Sequence, residues 1–242
     1  MTGLGKGIAK VARRDFVRGA EELGLLAGLD AAGIATASAA DTPSDTPGPA
    51  EALRLLIEGN RRWVRGQPCH PHQSVARRHD VAAHQEPFAT VVSCIDSRVP
   101  PEIVFDRGLG DMFVIRTGAQ TLDDQVVLGS IEYGPVNYES ARLLFVLGHQ
   151  RCGAVSAAIS AIETGKPAPG HIQAVVDALK PAYRVAKQQS GDLLDNMVRA
   201  QTKLTVQRLK QDPLLRELVA NGHLMAVGGY YSLDTGAVEI IA

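Results

Sequence analysis

Two short polar clusters in the sequence carry the residue types of a metal site. CIDSR, from Cys94 to Arg98, and HQRC, from His149 to Cys152, each follow an apolar run of the chain. Two thiolates and an imidazole form a donor set that favours zinc, and three protein ligands leave a fourth position for water or a competing carboxylate. The clusters therefore predict a metal site formed by Cys94, His149 and Cys152.

The separation of the clusters along the chain shows how such a site would have to form. Cys94 and His149 are 55 residues apart (149 minus 94), whereas the ligands of a zinc finger lie close together in sequence. A larger fold must therefore bring the two clusters together. Cys94 and Asp96 would share one face of an extended chain, because they are two residues apart. A tight turn into a helix would aim His149 and Cys152 at one point.

Predicted strands alternate with helical patterns along most of the chain. Apolar runs with strand character lie at 88–94, 112–116, 143–147 and 224–228, and a short closing strand is predicted at 237–241. This alternation is typical of an α/β fold with a mainly parallel central β-sheet flanked by helices. Because the ligand sites of such sheets lie beyond the carboxyl ends of the strands, both polar clusters fall where a site is expected.

The predicted folded domain covers residues 51–242. It follows a flexible N-terminal extension, residues 1–50, which ends in the Pro-rich linker DTPSDTPGPA. The domain would open with an amphipathic helix, EALRLLIEGNRRWVRG, because its apolar residues recur at roughly helical spacing. The 170–220 segment is predicted to be helical, with breaks at Pro181, at Ser190 and Gly191, and at Pro213.

Composition places the chain among ordinary soluble globular proteins. It has 242 residues, of which 45% are hydrophobic and 21% charged, and its formal net charge is -1. Nothing in this balance favours nucleic acid as a partner. No apolar run reaches the roughly 18 residues of a membrane span, which predicts no integral membrane segment. The three cysteines exclude a complete disulfide framework, and Cys69 is expected to be structural or a free thiol.

The segments CIDSR and HQRC resemble the paired signatures of the β-class carbonic anhydrases. HPHQS, RVPPEIVFDRGLGDMFVIRTGA and GSIEY also resemble that family, so the likeness extends over roughly residues 51–242. The resemblance implies a lyase that interconverts carbon dioxide and bicarbonate by attack of zinc-bound hydroxide on carbon dioxide. It also implies one zinc ion per subunit and a homodimer or a dimer-based tetramer.

Asp96 and Arg98 are the predicted catalytic residues. Zinc can lower the pKa of a bound water to about 7, and Asp96 is placed to accept a hydrogen bond from that water and orient it. The same carboxylate could instead bind the metal as a fourth ligand in a closed state. Arg98 offers a bidentate fork that can hold Asp96 away from the metal. A simpler interpretation of the pair is an ion pair that ties the loop.

The resemblance further implies substrate-binding roles for Gln73, Phe113, Tyr133 and Gly153. Gln73 matches a glutamine that donates a hydrogen bond to bicarbonate, often across a dimer interface, and the two aromatic residues match positions lining the carbon dioxide pocket. Gly118 departs from the family pattern, because many relatives carry a bulkier apolar side chain there. This departure predicts a wider pocket or a shifted substrate.

Two other functions are compatible with the same residues. One is a zinc hydrolase of carbon disulfide or carbonyl sulfide, which are linear molecules shaped like carbon dioxide. The other is a non-catalytic, zinc-stabilised binding protein. The width of the pocket would distinguish hydration of carbon dioxide from hydrolysis of carbon disulfide or carbonyl sulfide. The presence of both Asp96 and Arg98 disfavours the non-catalytic binding protein.

The first forty residues permit two interpretations. KVARRDFVR, from Lys10 to Arg18, precedes an Ala/Gly/Leu stretch that ends in the small residues 37–39, and this order resembles a twin-arginine export signal. The charges of Glu21, Glu22 and Asp30 disfavour that interpretation and favour a mobile tail on a cytoplasmic protein.

The mature N-terminus in the native host separates these interpretations. Mass spectrometry of the purified protein should find a chain that begins after residues 37–39 if the segment is a cleaved export signal. A chain that begins at Met1 or Thr2 would contradict export and support the cytoplasmic tail.

Overall fold

The computed structural model describes residues 46–242, so the possible export signal and most of the N-terminal extension lie outside the described residues. Five strands form one sheet in the order β2-β1-β3-β4-β5, in which β5 alone is antiparallel to its neighbour. The strands are β1 Ala89–Cys94, β2 Met112–Thr117, β3 Leu143–His149, β4 Met225–Tyr231 and β5 Val238–Ile240. The predicted α/β fold with a mainly parallel sheet is confirmed.

Eight helices and one 3-10 turn surround this sheet within residues 46–242. The helices are α1 Pro49–Val64, α2 Val75–Asp80, α3 Pro101–Val104, α4 Gln125–Asn137, α5 Gly153–Thr164, α6 Ile172–Ala186, α7 Leu193–Gln211 and α8 Leu215–Ala220, and the 3-10 turn is Gly118–Gln120. None of the helices in this part of the chain has both the length and the apolar character needed to cross a membrane.

The two central strands are buried along their whole length. Every residue of β1 and β3 is buried, because helices cover both faces of the sheet and apolar side chains are therefore favoured on both faces. Val91 packs in a cluster with residues of α1 and α3, whereas Val92 packs with residues of α4, α7 and α8. The alternation of side chains along a strand thus places Cys94 on the same face as Val92, which is the face covered by the long helices.

The parallel register brings the carboxyl ends of the strands to one edge of the sheet. Cys94, the last residue of β1, pairs with Thr117, the last residue of β2. The neighbouring strand β3 runs through His149, two residues beyond the predicted strand at 143–147, so that His149 itself lies in the sheet. Both polar clusters consequently lie at the same edge.

Pro181 does not break the helical segment, so this part of the sequence prediction is wrong. Helix α6 runs from Ile172 to Ala186 with Pro181 inside it. The proline is exposed, so its ring and the missing backbone hydrogen bond face solvent. The opposite side of α6 is buried through Leu179 and Ala182, and this burial holds the helix together across the proline. The breaks predicted near residues 190–191 and at Pro213 are present.

Asn60 fastens α1 to the rest of the domain. Its side-chain amide donates to the carbonyl oxygens of Val104, at 3.1 Å, and Gly236, at 2.8 Å, and its side-chain oxygen accepts from the backbone N–H of Val238 at 2.9 Å. Asn60 itself is buried. One side chain therefore pairs three backbone groups from two other segments, α3 and the β4–β5 hairpin.

We predict that Asn60→Ala lowers the free energy of unfolding by about 2–4 kcal/mol, because each buried polar group left without a partner costs roughly 1–3 kcal/mol. Urea denaturation measures this change. Asn196→Ala is the matched control, since the Asn196 amide makes one exposed hydrogen bond to the Ser190 carbonyl. An equal loss in both variants would contradict the fastening role of Asn60.

Candidate metal centre

The fold brings the three predicted metal ligands together. One potential ligand atom from each of Cys94, His149 and Cys152 lies within 4.8 Å of the other two. The two cysteines are 2% exposed and His149 is 0% exposed, so the cluster is shielded from bulk water. The chain supplies these ligands from two strand ends and one helix start, although 55 residues separate the first from the second (149 minus 94).

The elements at the sheet edge determine where each ligand points. Cys94 and His149 close β1 and β3, and Cys152 stands immediately before α5. Arg151 adopts a left-handed conformation with φ of 52°, which makes the sharp turn between His149 and Cys152. The position before a helix would also stabilise the negative charge of a metal-bound Cys152, because the helix N-terminus carries partial positive charge.

His149 presents an unpaired nitrogen to the cluster. Its Nδ1 lies 3.0 Å from the backbone carbonyl oxygen of Gln150, so Nδ1 carries the hydrogen and donates it. Its Nε2 is buried and has no hydrogen-bond partner in the described part of the chain. A buried nitrogen with a free lone pair is unfavourable in a protein interior, and a bound cation would satisfy it.

A hydrogen bond joins the two sulfurs. They lie 3.8 Å apart, and the hydrogen bond from Cys152 lowers the pKa of Cys94. The pKa of Cys152 is raised far above its usual value, because its proton is held by the Cys94 sulfur and because of burial. A cation bound between the sulfurs would replace that proton and stabilise both as thiolates.

The spacing of the sulfurs suits a tetrahedral metal ion. Two sulfurs bound to one zinc ion at about 2.3 Å with tetrahedral angles would lie roughly 3.8 Å apart, which is the separation observed between Cys94 and Cys152. Together with the free His149 nitrogen, this spacing shows that the residues present fit a divalent cation with three protein ligands.

Asp96 and Arg98 form a bidentate ion pair beside the cluster. Arg98 Nε donates to Asp96 Oδ1 at 2.9 Å and Nη2 donates to Oδ2 at 2.7 Å. These hydrogen bonds lower the pKa of Asp96 to about 2, so the carboxylate is ionised at neutral pH. Asp96 Oδ2 also lies 3.8 Å from His149 Nε2. The carboxylate is thus held by Arg98 within reach of the space that the three ligands surround.

Arg116 is a further residue of this centre that the sequence analysis missed. Its Nε donates to the carbonyl oxygen of Cys94 at 2.8 Å, and its Nη2 donates to that of Asp96 at 2.5 Å. The guanidinium therefore fixes the backbone on both sides of Ile95. The sequence did contain an indication of this role, because Arg116 is the one charged residue in the otherwise uncharged strand MFVIRT.

Three of the four predicted substrate-binding residues lie away from the cluster within one chain. Phe113 pairs with Thr90, four residues before the end of β1, which places it roughly 13 Å along the strand from Cys94. Phe113 and Tyr133 pack edge to face with ring centroids 6.1 Å apart. Gln73 is exposed, and its amide donates to the Arg107 carbonyl at 3.3 Å. All three therefore lie toward the amino ends of the strands.

A different glutamine lies beside the aromatic residues. Gln85 donates to the hydroxyl of Tyr138 at 3.2 Å, and the Tyr138 ring packs against Phe113 and Tyr133. The family resemblance pointed to Gln73 on the HPHQS segment, and Gln85 lies outside the segments that carry that resemblance. The sequence indicated the location of Gln85 only through its position, shortly before the apolar run that becomes β1.

The two glycines at the centre differ in their surroundings. A side chain at Gly153 would meet nothing within 4 Å, so the start of α5 offers open space beside Cys152. A Cβ at Gly118 would lie 3.1 Å from Val175 Cγ1. The absence of a side chain at Gly118 therefore leaves no empty space, because Val175 of α6 fills it, and the expected widening of the pocket at this position is wrong.

Comparison with known proteins identifies related sequences. The family model described as Carbonic anhydrase matches residues 89–238. Carbonic anhydrase 2 of Mycobacterium tuberculosis is 42% identical over 189 residues, which cover 78% of this chain and 90% of that protein. The carbonic anhydrase of Mycolicibacterium smegmatis is 39% identical over 193 residues, which cover 79% and 93% of the two chains.

Solved structures of β-carbonic anhydrases share the fold. A tetrameric enzyme from Sordaria macrospora superposes with a TM-score of 0.63 at 20% identity and covers 78% of this chain and 96% of that chain. The Coccomyxa enzyme in complex with acetazolamide gives a TM-score of 0.61 at 24% identity, with coverage of 78% and 86%.

We predict that Cys152→Ser loses bound Zn²⁺ on dialysis against a chelator that leaves the native protein at one ion per chain, because a serine oxygen is a far poorer zinc ligand than a thiolate. Metal analysis after dialysis measures the retained zinc. Cys69→Ser is the matched control, since Cys69 is an exposed free thiol. Equal retention in Cys152→Ser and Cys69→Ser would contradict a metal site at this cluster.

Proposed function

Because this chain belongs to the β-carbonic anhydrase family and is a carbonic anhydrase, we propose that it hydrates carbon dioxide reversibly with a zinc ion held by Cys94, His149 and Cys152. The observation that carries this proposal is the buried cluster in which His149 Nε2 lacks a partner and the two sulfurs lie 3.8 Å apart. Zinc bound there would lower the pKa of a coordinated water and supply a nucleophile at neutral pH.

The protein residues prepare the site for that chemistry. The hydrogen bond from His149 Nδ1 to the Gln150 carbonyl fixes the ring in the tautomer that offers Nε2 to the metal. Two thiolates and a neutral imidazole balance the charge of a divalent cation. The acidity of the water therefore depends on groups outside the three ligands, and the nearest of these is Asp96.

Asp96 is proposed to orient the reacting water. Its carboxylate is ionised, since Arg98 keeps the pKa of Asp96 at about 2, and it therefore accepts hydrogen bonds at neutral pH. Because Arg98 occupies both oxygens through a bidentate contact, the carboxylate is held beside the three ligands and kept from moving onto the metal. Release of this contact would let Asp96 approach as a fourth ligand, which is the closed state.

Substrate binding by Gln73, Phe113 and Tyr133 is proposed to involve a second copy of the chain. The three residues lie toward the amino ends of the strands, whereas the cluster lies at the carboxyl ends. They can therefore contribute to the carbon dioxide site only across an interface, which supports a homodimer or a dimer-based tetramer. The similar enzyme of Sordaria macrospora is tetrameric.

No contact among residues 46–242 favours hydrolysis of carbon disulfide or carbonyl sulfide, or a non-catalytic binding role. Val175 closes the space beside Gly118 from which a wider pocket was expected. The ionised carboxylate of Asp96, held beside the three residues by Arg98, is not required for a metal ion that serves only to stabilise the fold.

Stopped-flow hydration of carbon dioxide by the zinc-loaded protein tests the proposed function. We predict that Arg98→Ala keeps one zinc ion per chain but loses at least about 10- to 100-fold in kcat/KM, because Asp96 is no longer held in place. Arg208→Ala is the matched control. Its exposed guanidinium pairs with Asp123 at 2.8 Å, away from the cluster, so its kcat/KM should stay within about threefold of the native value.

Two results would count against this account in different ways. Full activity of Arg98→Ala would contradict the role of Arg98. No hydration by the zinc-loaded native protein would contradict the proposed function itself, and turnover of carbonyl sulfide in its place would favour the hydrolase.

A further inference from the structure

The turn that follows β2 has an unfavourable backbone conformation. Ala119 and Gln120 are consecutive residues with φ of 52° and 56°, a left-handed conformation that residues other than glycine adopt rarely and at a cost in free energy. Both residues are buried. Such positions persist only where the surrounding structure holds them, and they are concentrated at functional sites.

The Gln120 side chain is the group that holds this turn. Its Nε2 donates to the carbonyl oxygen of Leu147 at 2.8 Å, in a fully buried hydrogen bond. Leu147 lies in β3, two residues before His149. The amide therefore ties the end of β2 to the strand that carries one of the proposed metal ligands.

Close packing leaves Gln120 little freedom. A Cβ at Gly148 would lie 3.0 Å from Gln120 Nε2 and 2.2 Å from Thr202 Oγ1, so the glycine is needed for α7 and the turn to approach β3 at this point. The hydroxyl of Thr205 in α7 donates to the Gln120 carbonyl at 3.4 Å. Both polar ends of the residue are thus fixed, one by β3 and one by α7.

The turn in its left-handed form reaches the metal centre. Ala119 is buried in the same cluster as Cys94 and Cys152, and the 3-10 turn lies next to the ends of β1 and β3. The position of this turn therefore shapes the surroundings of the Cys94 sulfur. A less constrained turn would leave the Cys94 side chain free to adopt more than one orientation.

We propose that Gln120 is a positioning residue of the metal centre, which through its bond to Leu147 holds the turn after β2 against Cys94 and sets the spacing between the ends of β1 and β3. Gln120 contacts neither the metal nor the substrate in this account. The proposal rests on the proposed function, since it assumes a metal ion at Cys94, His149 and Cys152.

Gln201 provides a matched control in the same polar layer. It is a buried glutamine of α7, and its Nε2 donates to Thr205 Oγ1 at 3.2 Å. It makes no hydrogen bond to β1, β2 or β3 within residues 46–242. Thr205 only accepts from Gln201, so the bond that its hydroxyl donates to the Gln120 carbonyl does not depend on Gln201. Replacement of either glutamine by Met removes one buried amide of similar size, but only at Gln120 is a strand end of the metal centre released.

The test compares the native protein, Gln120→Met and Gln201→Met after loading with Co²⁺ or with Zn²⁺. Thiolate-bound Co²⁺ absorbs through sulfur-to-metal charge transfer, so the position of this band reports the surroundings of the sulfurs. Transfer of Zn²⁺ to a chromophoric chelator gives the dissociation rate. Gln120→Met should shift the band and release zinc about 10- to 100-fold faster. Gln201→Met should leave the band unchanged and the rate within about twofold, although both variants lose thermal stability.

A second variant keeps the test decisive if Gln120→Met fails to fold. Asn tolerates left-handed conformations better than most residues, so Gln120→Asn keeps the turn but is one methylene too short to reach Leu147. It should shift the band and speed zinc release in the same direction.

The outcomes separate this inference from the proposed function. A native-like band and release rate in Gln120→Met or Gln120→Asn, or an equal change in Gln201→Met, would overturn the positioning role of Gln120. A native protein that takes up neither Co²⁺ nor Zn²⁺ at the cluster would instead overturn the proposed function.

Discussion

Two sulfurs and one ring nitrogen are buried together where the central strands end, and most features of the site follow from this constraint. Cys94 and Cys152 lie 3.8 Å apart, and His149 Nε2 has no partner there in the described chain. Without a cation, the sulfurs can bond only to each other and the nitrogen stays unpaired. A divalent metal would satisfy all three atoms, which explains why a stable fold can bury them together.

The parallel sheet is the means by which this arrangement forms. Because β1 and β3 are neighbours and run in the same direction, their last residues lie side by side, and the turn after His149 adds Cys152. Asp96 follows from the same geometry, since it lies just beyond the end of β1. Arg98 holds the carboxylate, while Arg116 holds the backbone that carries it. Two guanidinium groups thereby fix the segment after β1: Arg98 holds the side chain of Asp96, and Arg116 holds the main chain on both sides of Ile95.

Local patterns in the sequence were sufficient for the fold class, the strands and the three residues of the buried cluster. Each of these depends on residue type and short spacing, such as the apolar run that ends in Cys94. Features that depend on tertiary contacts were missed. Gln120 is left-handed because β3 and α7 hold it, and nothing in the string GAQ indicates this. Pro181 stays within α6 because the opposite side of the helix is buried. The roles of Gln73 and Phe113 came from the family resemblance, since their positions toward the amino ends of the strands could not be found from short motifs alone.

Zinc K-edge X-ray absorption of the native protein tests the central claim most directly, since it counts the atoms bound to the metal without any substitution. We predict two sulfur atoms at about 2.3 Å and nitrogen or oxygen atoms at about 2.0–2.2 Å, from Cys94, Cys152, His149 and one further ligand. A shell made only of nitrogen and oxygen, or one with a single sulfur, would contradict metal binding by the buried cluster and the mechanism that depends on it.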